Sequence, residues 1–143
     1  MSTAVIDASV AAKWFLPARG ETLVDEAFRL LGRYASGEIQ LVVPDLFWAE
    51  LANTFWKAIR QGRWQKPAAE TALASLAARR LPTVSSLRVL EVAFGIAAAF
   101  DRTVYDALYV ALAVYSKAQL ITADERLANA LAAQLPVKWL GAM

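Results

Sequence analysis

The stretch VIDASVAAKWF, residues 5–15, places a short apolar run directly before a carboxylate. The run predicts a buried strand, and the apolar spacing that follows Asp7 predicts a helix from about residue 8. Asp7 therefore lies where a strand ends and a helix begins. Two interpretations remain open here: the Asp7 side chain caps the helix, or it is a ligand in a metal site.

Short apolar runs alternate with helical patterns along the whole chain, which we interpret as one domain over residues 1–143. This alternation predicts an α/β fold, with a parallel sheet covered by helices on both faces. The expected strands lie at 3–6, 41–43, 82–84, 119–121 and 137–139, and the expected helices start near 8, 22, 45, 66, 86, 104 and 124. Functional sites in such sheets form outside the carboxyl ends of the strands. Asp7 and Asp124 are both expected at that edge.

Composition excludes several classes of protein. The hydrophobic fraction of 58% excludes disorder, and the longest apolar runs have nine residues, at 92–100 and 107–115. A membrane span needs roughly 20 residues. No basic flank precedes the first apolar run, so a signal peptide is not expected. The absence of cysteine excludes a disulfide framework and fits a cytoplasmic protein.

The chain contains no histidine. This excludes a Ser-His-Asp triad, a Cys-His pair and any imidazole ligand or base. If the chain is an enzyme, its chemistry must come from carboxylates, Lys, Arg, Tyr, Ser and Thr. Carboxylate ligands favour the hard ions Mg²⁺ or Mn²⁺.

Positive charge is concentrated between Lys57 and Arg88, where seven basic residues accompany one acid, Glu70. A basic stretch beside a more acidic remainder suits a polyanionic substrate. The alternative is that these side chains only solvate helix surfaces.

The stretch PDLFWAELANTFWKAIR, residues 44–60, predicts an amphipathic helix. One face of this helix is polar and carries Glu50, Asn53, Lys57 and Arg60. This face is either a solvated stripe or a carboxylate followed by an amide and two cations along a polyanion track.

Asp106 lies in TVYDALYVALAVY, residues 103–115, where nearly every other position is apolar. A buried ionised carboxylate is costly unless it is paired, hydrogen-bonded or bound to a metal. The alternative explanation is a capping box between Thr103 and Asp106.

Asp124 lies in LITADERLANAL, residues 120–131. Thr122 and Glu125 have the spacing of a second capping box, which leaves Asp124 as an additional acid in the first helical turn. The helix dipole favours its ionised form there.

The blocks VIDASVAAKWF, PDLFWAELANTF, TVYDALYVALA and LITADERLANAL resemble the four motif blocks of PIN-domain ribonucleases, most closely those of VapC-like toxins from toxin–antitoxin pairs. The resemblance spans almost the whole chain. It implies an α/β/α sandwich around a parallel sheet of about five strands. It also implies a Mg²⁺- or Mn²⁺-dependent endoribonuclease, in which Asp7, Asp106 and Asp124 hold the metal and Glu50 completes the acidic site.

The same resemblance implies supporting residues and partners. The hydroxyls of Ser9 and Thr122 would bond to a carboxylate, a ligand water or a phosphate, with Asn53 nearby. Lys57, Arg60 and Lys13 are candidates for contacts with substrate phosphates. The expected partners are RNA, a small antitoxin whose Arg-bearing tail blocks the acidic pocket, and a second copy in a homodimer. A cluster of aromatic residues either belongs to the core or forms an apolar groove for the antitoxin, and in a groove Trp14 and Trp56 would be the exposed members: Trp14, Phe15, Trp48, Phe55 and Trp56.

Two other functions stay open from the sequence. Ser9 and Lys13 lie one helical turn apart, as a Ser-Lys hydrolase requires. A binding module without catalysis would use the acidic pocket only to capture an Arg of a partner. The sequence also leaves open whether Asp45 or Asp101 contributes to the site and whether it holds one ion or two.

Overall fold

Five parallel strands form the centre of the computed structural model, which describes residues 2–143. The strands are β1 (Ser2–Ile6), β2 (Ile39–Pro44), β3 (Thr83–Val84), β4 (Gln119–Thr122) and β5 (Val137–Trp139). Their order across the sheet is β3-β2-β1-β4-β5. Val5 in the central strand lies opposite Val42 on one side and Leu120 on the other. The predicted parallel sheet of five strands is therefore confirmed.

Seven helices surround this sheet. They are α1 (Ala8–Ala12), α2 (Val24–Ala35), α3 (Leu46–Arg60), α4 (Lys66–Ala78), α5 (Leu90–Phe100), α6 (Val104–Tyr115) and α7 (Glu125–Leu131). The helix α6 packs against β1, β2 and β4, and its residues 107–113 are all buried. The α/β/α sandwich is confirmed. None of the helices within residues 2–143 is both long enough and apolar enough to cross a bilayer.

The central strands are apolar because the sheet is covered on both faces. Residues 4–6 and 41–43 are buried at every position, as is usual for parallel strands between two helical layers. The expected elements are all present, with shifts of at most four residues at the ends that differ. The strand β2 starts two residues before the predicted run, because the backbone ladder continues through Ile39 and Gln40.

Four helix starts differ from the predicted positions. The helix α3 starts at Leu46 rather than at 45, because Asp45 is its N-cap residue. The helix α2 starts at Val24 rather than near 22, because Leu23 takes a left-handed conformation with φ of 57°. The predicted helix from 86 starts as a 3₁₀ turn over 86–89, and α5 follows it. The helix α7 starts at Glu125, because Asp124 is its N-cap residue.

The order of the strands reverses direction between β1 and β4. Such a switch point opens a crevice at the carboxyl ends of the two strands, because their connections leave in opposite directions. Asp7 directly follows β1, and Asp124 follows β4 by two residues. The topology therefore brings these two carboxylates to the same crevice.

Candidate active site

A cleft of about 510 Å³ opens at this switch point. All four predicted acids line it, together with four of the predicted supporting residues: Asp7, Glu50, Asp106 and Asp124, with Ser9, Lys13, Asn53 and Lys57. Thr122 is fully buried and does not line the cleft. Arg60 also lies outside it, on the outer side of α3. The fold thus gathers acids from four separate parts of the chain.

Asp7 is the most buried of the four acids, with 9% of its surface exposed. It occupies the N-cap position of α1, but its carboxylate accepts no capping hydrogen bond. The Ser9 hydroxyl instead donates to Asp7 Oδ1 and accepts from the backbone N–H of Ala123 at 3.2 Å. Ser9 thus joins the loop after β1 to the loop after β4. The N–H of Val10, in the first turn of α1, still lies close enough to the Asp7 carboxylate to lower its pKa, so the helix-cap and metal-ligand interpretations of Asp7 do not exclude each other.

Because Asp7 is buried, ionisation of its carboxylate costs free energy. The pKa of Asp7 is raised to about 6, mainly by burial and to a smaller extent by the charge of Glu50, against the opposing effect of hydrogen bonds from Ser9, Thr122 and the backbone N–H of Val10. Desolvation is thus the dominant cause. A cation bound next to Asp7 would therefore stabilise the ionised form of this buried carboxylate.

Glu50 lies in the second turn of α3, half-buried against α6. The hydroxyl of Tyr109 donates a hydrogen bond to Glu50 Oε1. Burial raises the pKa of Glu50, the bond from Tyr109 lowers it, and the charge of Asp106 raises it. Burial and the bond to Glu50 also raise the pKa of Tyr109, so this phenol acts as a donor. The charges of Asp7, Glu50 and Asp106 therefore act on one another.

Asp106 lies in the first turn of α6, where its side chain is 36% exposed. The prediction that the apolar helix buries this carboxylate is wrong, because the buried segment of α6 begins at Ala107. Half of the predicted capping box is present, since Thr103 Oγ1 accepts from the Asp106 N–H at 3.1 Å. The Asp106 carboxylate pairs with the Arg102 guanidinium, Nη2 to Oδ2, at 3.4 Å.

Asp124 is exposed at the rim of the cleft and caps α7, since its Oδ1 accepts from the N–H of Leu127 at 3.2 Å. The predicted capping box between Thr122 and Glu125 is wrong. Thr122 Oγ1 accepts from the Asp124 N–H at 3.0 Å and thus fixes the residue that does the capping. One carboxylate oxygen of Asp124 holds the helix, and the other is not needed for the cap.

Three cations also line the cleft: Lys13, Lys57 and Arg63. Lys13 pairs with Glu21 at 3.3 Å, and Arg63 pairs with the other oxygen of Glu21 at 3.4 Å. Lys57 lines the cleft and also borders a small surface pocket with Trp56 and Arg60. Within residues 2–143, no hydrogen bond joins Ser9 to Lys13. The Ser-Lys hydrolase hypothesis therefore lacks the contact that it requires.

Two further acids lie outside the cleft. Asp45 precedes α3 and accepts hydrogen bonds from the backbone and the hydroxyl of Ser86. Asp101 ends α5 in a left-handed conformation and is exposed. Both have structural positions at helix ends, and neither contributes to the acidic site.

The aromatic residues that formed the candidate antitoxin groove belong mainly to the core. Trp14 is 7% exposed and donates through Nε1 to the carbonyl of Ala27, so the prediction of an exposed Trp14 is wrong. Phe55 is buried, whereas Phe15 and Trp48 are half-buried. Trp56 is exposed as predicted, at 51%. An apolar groove built from the whole cluster is therefore absent.

The donor set of the cleft fits a hard divalent ion. All four acids offer oxygen ligands, and the pKa of both Asp7 and Glu50 is raised in the absence of a cation. Within residues 2–143, no three acidic side chains stand close enough together to hold one ion directly. This spacing is compatible with Mg²⁺, which keeps several waters and binds through one or two carboxylates.

Sequence reasoning missed four residues of the site. Tyr109 follows Asp106 by one helical turn, and Arg102 precedes Asp106 by four residues, so helix spacing could have indicated both. Glu21 and Arg63 meet across 42 residues. No local pattern indicates that contact, because it depends on how two loops fold over the cleft.

Comparison with known proteins places the chain in a family. A sequence profile of the PIN domain matches residues 4–131. The chain therefore belongs to the PIN-domain family. Within that family it is VapC-like: it is 35% identical over 127 residues to ribonuclease VapC3 of Pyrobaculum aerophilum, which corresponds to 87% of this chain and 92% of that protein. The resemblance drawn from the four sequence blocks is confirmed.

Solved structures share the fold. The crystal structure of PAE2754 from Pyrobaculum aerophilum aligns with a TM-score of 0.70 and 22% identity, over 99% of this chain and 85% of that one. VapC20 of Mycobacterium tuberculosis, a toxin that cleaves the sarcin–ricin loop, aligns with a TM-score of 0.65 and 17% identity, over 92% and 95% of the two chains. A toxin–antitoxin complex from Klebsiella pneumoniae aligns with a TM-score of 0.62 and 17% identity, over 94% and 95%.

Proposed function

We propose that this chain is an endoribonuclease that depends on Mg²⁺ or Mn²⁺ and that it is the toxin of a VapBC-type pair. The observation that carries the proposal is the convergence of Asp7, Glu50, Asp106 and Asp124 on one cleft of a PIN-domain chain. The similarity to ribonuclease VapC3 supports RNA as the substrate.

The acids have distinct tasks in this proposal. Asp7, Asp106 and Asp124 would hold the ion, directly or through water, and Glu50 would complete the acidic wall. A divalent ion held by these carboxylates would supply Lewis-acid chemistry to a phosphodiester and make a water molecule more acidic. Because the chain has no histidine, no imidazole can act as the general base for that water.

The neighbouring side chains keep the acids in place. Ser9 donates to Asp7 and accepts from the N–H of Ala123, so one hydroxyl connects the segments that follow β1 and β4. Tyr109 donates to Glu50, which orients this carboxylate and favours its charged form. Such supporting hydrogen bonds affect ligand position as well as basicity.

Lys57 is the cation we assign to a substrate phosphate beside the cleaved bond. It lines the cleft on the same face of α3 as Glu50, and it makes no ion pair within residues 2–143. Arg60 lies outside the cleft and stands 5.4 Å from the ring of Trp56. We assign Arg60 to the more distant RNA backbone.

Catalysis is tested by incubating the purified chain with single-stranded RNA in Mg²⁺, in EDTA, and in EDTA followed by excess Mg²⁺. We expect cleavage with Mg²⁺, loss of cleavage in EDTA and recovery after Mg²⁺ is restored. An Asp7→Asn variant purified in parallel should stay inactive in all three conditions. Cleavage by Asp7→Asn at the wild-type rate would contradict the proposal and point to a contaminating nuclease or to a binding module.

The toxin role and its partners are tested in cells. Expression of the wild-type chain should arrest growth, whereas Asp7→Asn should not. The expected antitoxin is a small protein with an Arg-bearing tail, and its coexpression should restore growth and yield a stable complex. The toxin–antitoxin complex among the structural neighbours supports this expectation. Equal growth of cells that express the wild type and cells that express Asp7→Asn would contradict the toxin role. It would not decide ribonuclease activity, which the cleavage assay on RNA tests separately.

We also expect a homodimer, which light scattering would detect.

A further inference from the structure

Three charged side chains of the cleft are joined by two ion pairs. Glu21 Oε1 lies 3.3 Å from Lys13 Nζ, and Glu21 Oε2 lies 3.4 Å from Arg63 Nη1. All three residues line the cleft that contains the four acids. One carboxylate thus connects two cations inside the candidate active site.

The ammonium group of Lys13 is buried and has few hydrogen-bond acceptors around it. It ends α1, and its side chain is only 9% exposed. A buried ammonium group is costly without acceptors, and within residues 2–143 the Lys13 ammonium donates a single hydrogen bond, to Glu21. Lysine can donate three. This site therefore has capacity for more anionic oxygens than Glu21 supplies.

Glu21 lies on an exposed turn, whereas Lys13 and Arg63 lie at the ends of helices. Glu21 ends a tight turn, in which its N–H donates to the carbonyl of Ala18 at 3.0 Å and Gly20 has φ of 86°, as in a type II turn. Residues 17–20 of this loop are exposed. Lys13 and Arg63 follow the ends of α1 and α3, and the Arg63 N–H donates to the carbonyl of Ala58 in α3. The carboxylate can therefore leave the cations without disturbing the sheet.

We propose that Lys13 and Arg63 bind a backbone phosphate of RNA and that Glu21 occupies the position of this phosphate in the free protein. This inference rests on the proposed function, because it names a substrate contact of the same cleft. A phosphodiester offers two charged oxygens to an ammonium and a guanidinium, as the Glu21 carboxylate does. Binding of RNA then displaces Glu21 into solvent on its exposed turn.

The test is the affinity for a short single-stranded RNA in EDTA, measured by fluorescence anisotropy so that no cleavage occurs. Glu21→Gln keeps the shape of the side chain and removes its charge. We expect this variant to bind about fivefold tighter than the wild type, because the phosphate no longer competes with a carboxylate. If Glu21 were only a structural clamp, the variant would bind RNA equally or more weakly, and that result would overturn the inference.

Two further variants define the comparison. Glu38→Gln breaks the ion pair of Arg33 and Glu38, which lies outside the cleft, and should leave RNA affinity unchanged. Arg63→Gln should weaken binding about fivefold and reduce the slope of log affinity against log salt by about 0.7, the value for one lost contact to a single-stranded phosphate. An unchanged slope in Arg63→Gln would overturn the inference even if Glu21→Gln failed to fold.

Pyrophosphate tests phosphate binding at Lys13 and Arg63 independently of whether the chain cleaves RNA. In EDTA, pyrophosphate should raise the melting temperature of Glu21→Gln more than that of the wild type, and it should not do so when Arg63→Gln is added. This result would support the phosphate site even if RNA proved not to be the substrate. If pyrophosphate does not raise the melting temperature of Glu21→Gln and this variant binds RNA no more tightly than the wild type, the phosphate site is overturned. Whether the chain cleaves RNA is then still decided by the cleavage assay with Mg²⁺ and EDTA.

Discussion

Two clefts lie at opposite edges of the same sheet, and the smaller one contains the acidic residues. The cleft at the carboxyl ends of the strands has a volume of about 510 Å³, and its lining includes five carboxylates. The cleft at the amino ends is larger, at about 840 Å³, and its charged lining residues are Arg33, Lys117 and Lys138. Volume alone would therefore select the wrong edge.

The difference arises from what the strands carry at each end. At the amino ends, β1 and β4 start with the exposed residues Ser2 and Gln119, so charges nearby remain in water. At the carboxyl ends, the strands finish in buried Ile6 and Thr122, and the next turn carries Asp7 into a largely buried position. A buried charge such as that of Asp7, with its cost in free energy, is thus found at the carboxyl edge. Substitutions of the acids there should change activity, and some of them should also change stability or pH dependence, whereas a substitution of Lys117 at the amino edge should change none of the three.

The largest expected effect is on RNA cleavage. Asp7→Asn should lower the cleavage rate about a thousandfold, because loss of a metal ligand removes several kcal/mol of transition-state stabilisation. Single-turnover cleavage in saturating Mg²⁺ measures this loss. Lys117→Gln at the amino edge is the matched control and should cleave at the wild-type rate. A comparable loss in Lys117→Gln would remove the distinction between the two edges.

The next effect separates two tasks of one carboxylate. Asp124→Asn keeps an oxygen that can cap α7, whereas Asp124→Ala removes the cap. Both variants should lose cleavage about a hundredfold, as expected for a metal ligand. Only Asp124→Ala should lose about 1 kcal/mol of unfolding free energy. Urea denaturation measures the stability difference, and equal stability of the two variants would contradict the capping role.

Asp7→Asn should also stabilise the protein without metal. The folded state raises the pKa of Asp7 from 3.8 to about 6, so its ionised form opposes folding above this range. The stability that the wild type has below pH 3.8 is lost as the pH rises through about 6. We expect Asp7→Asn to exceed the wild type by about 1–3 kcal/mol at pH 7.5 and to match it near pH 4. Urea denaturation in EDTA at both values checks this sign.

Tyr109→Phe should give the smallest effect. Its hydroxyl lowers the pKa of Glu50, so its removal should raise that pKa further and move the acidic limb of the cleavage profile to higher pH. We expect a loss of about fivefold at pH 6 and less at pH 8, from a change of about 1 kcal/mol in one hydrogen bond. A uniform loss across all pH values would indicate a role for Tyr109 other than the tuning of Glu50.

Much of the fold could be predicted because the relevant signals are local. Continuous apolar runs such as 4–6 and 41–43 indicate strands buried on both faces, and their alternation with helices indicates a parallel sheet. The position of Asp7 and Asp124 after two strands placed both at the functional edge. The sequence did not predict the order of the strands, which brings β1 beside β4 and makes these two residues neighbours.

The parts of the site that escaped prediction depend on tertiary packing. Asp106 was expected to be buried because its helix is apolar, yet it lies one residue before the buried segment begins. Trp14 was expected to be exposed, although its indole N–H reaches the carbonyl of Ala27 in another helix. Glu21 and Arg63 meet through two loops, and no periodic pattern records such a contact. Periodicity identifies a face but does not show what packs against it.

Direct Mn²⁺ binding tests the central claim, that the four acids of the carboxyl edge form a divalent-metal site. It requires no knowledge of the RNA that is cleaved. Isothermal titration calorimetry of the wild type, Asp7→Asn and Lys117→Gln gives the comparison. We predict saturable binding by the wild type and Lys117→Gln, with at least tenfold weaker binding by Asp7→Asn. Equal Mn²⁺ affinity in the wild type and Asp7→Asn, or no binding by the wild type, would contradict the proposed metal site.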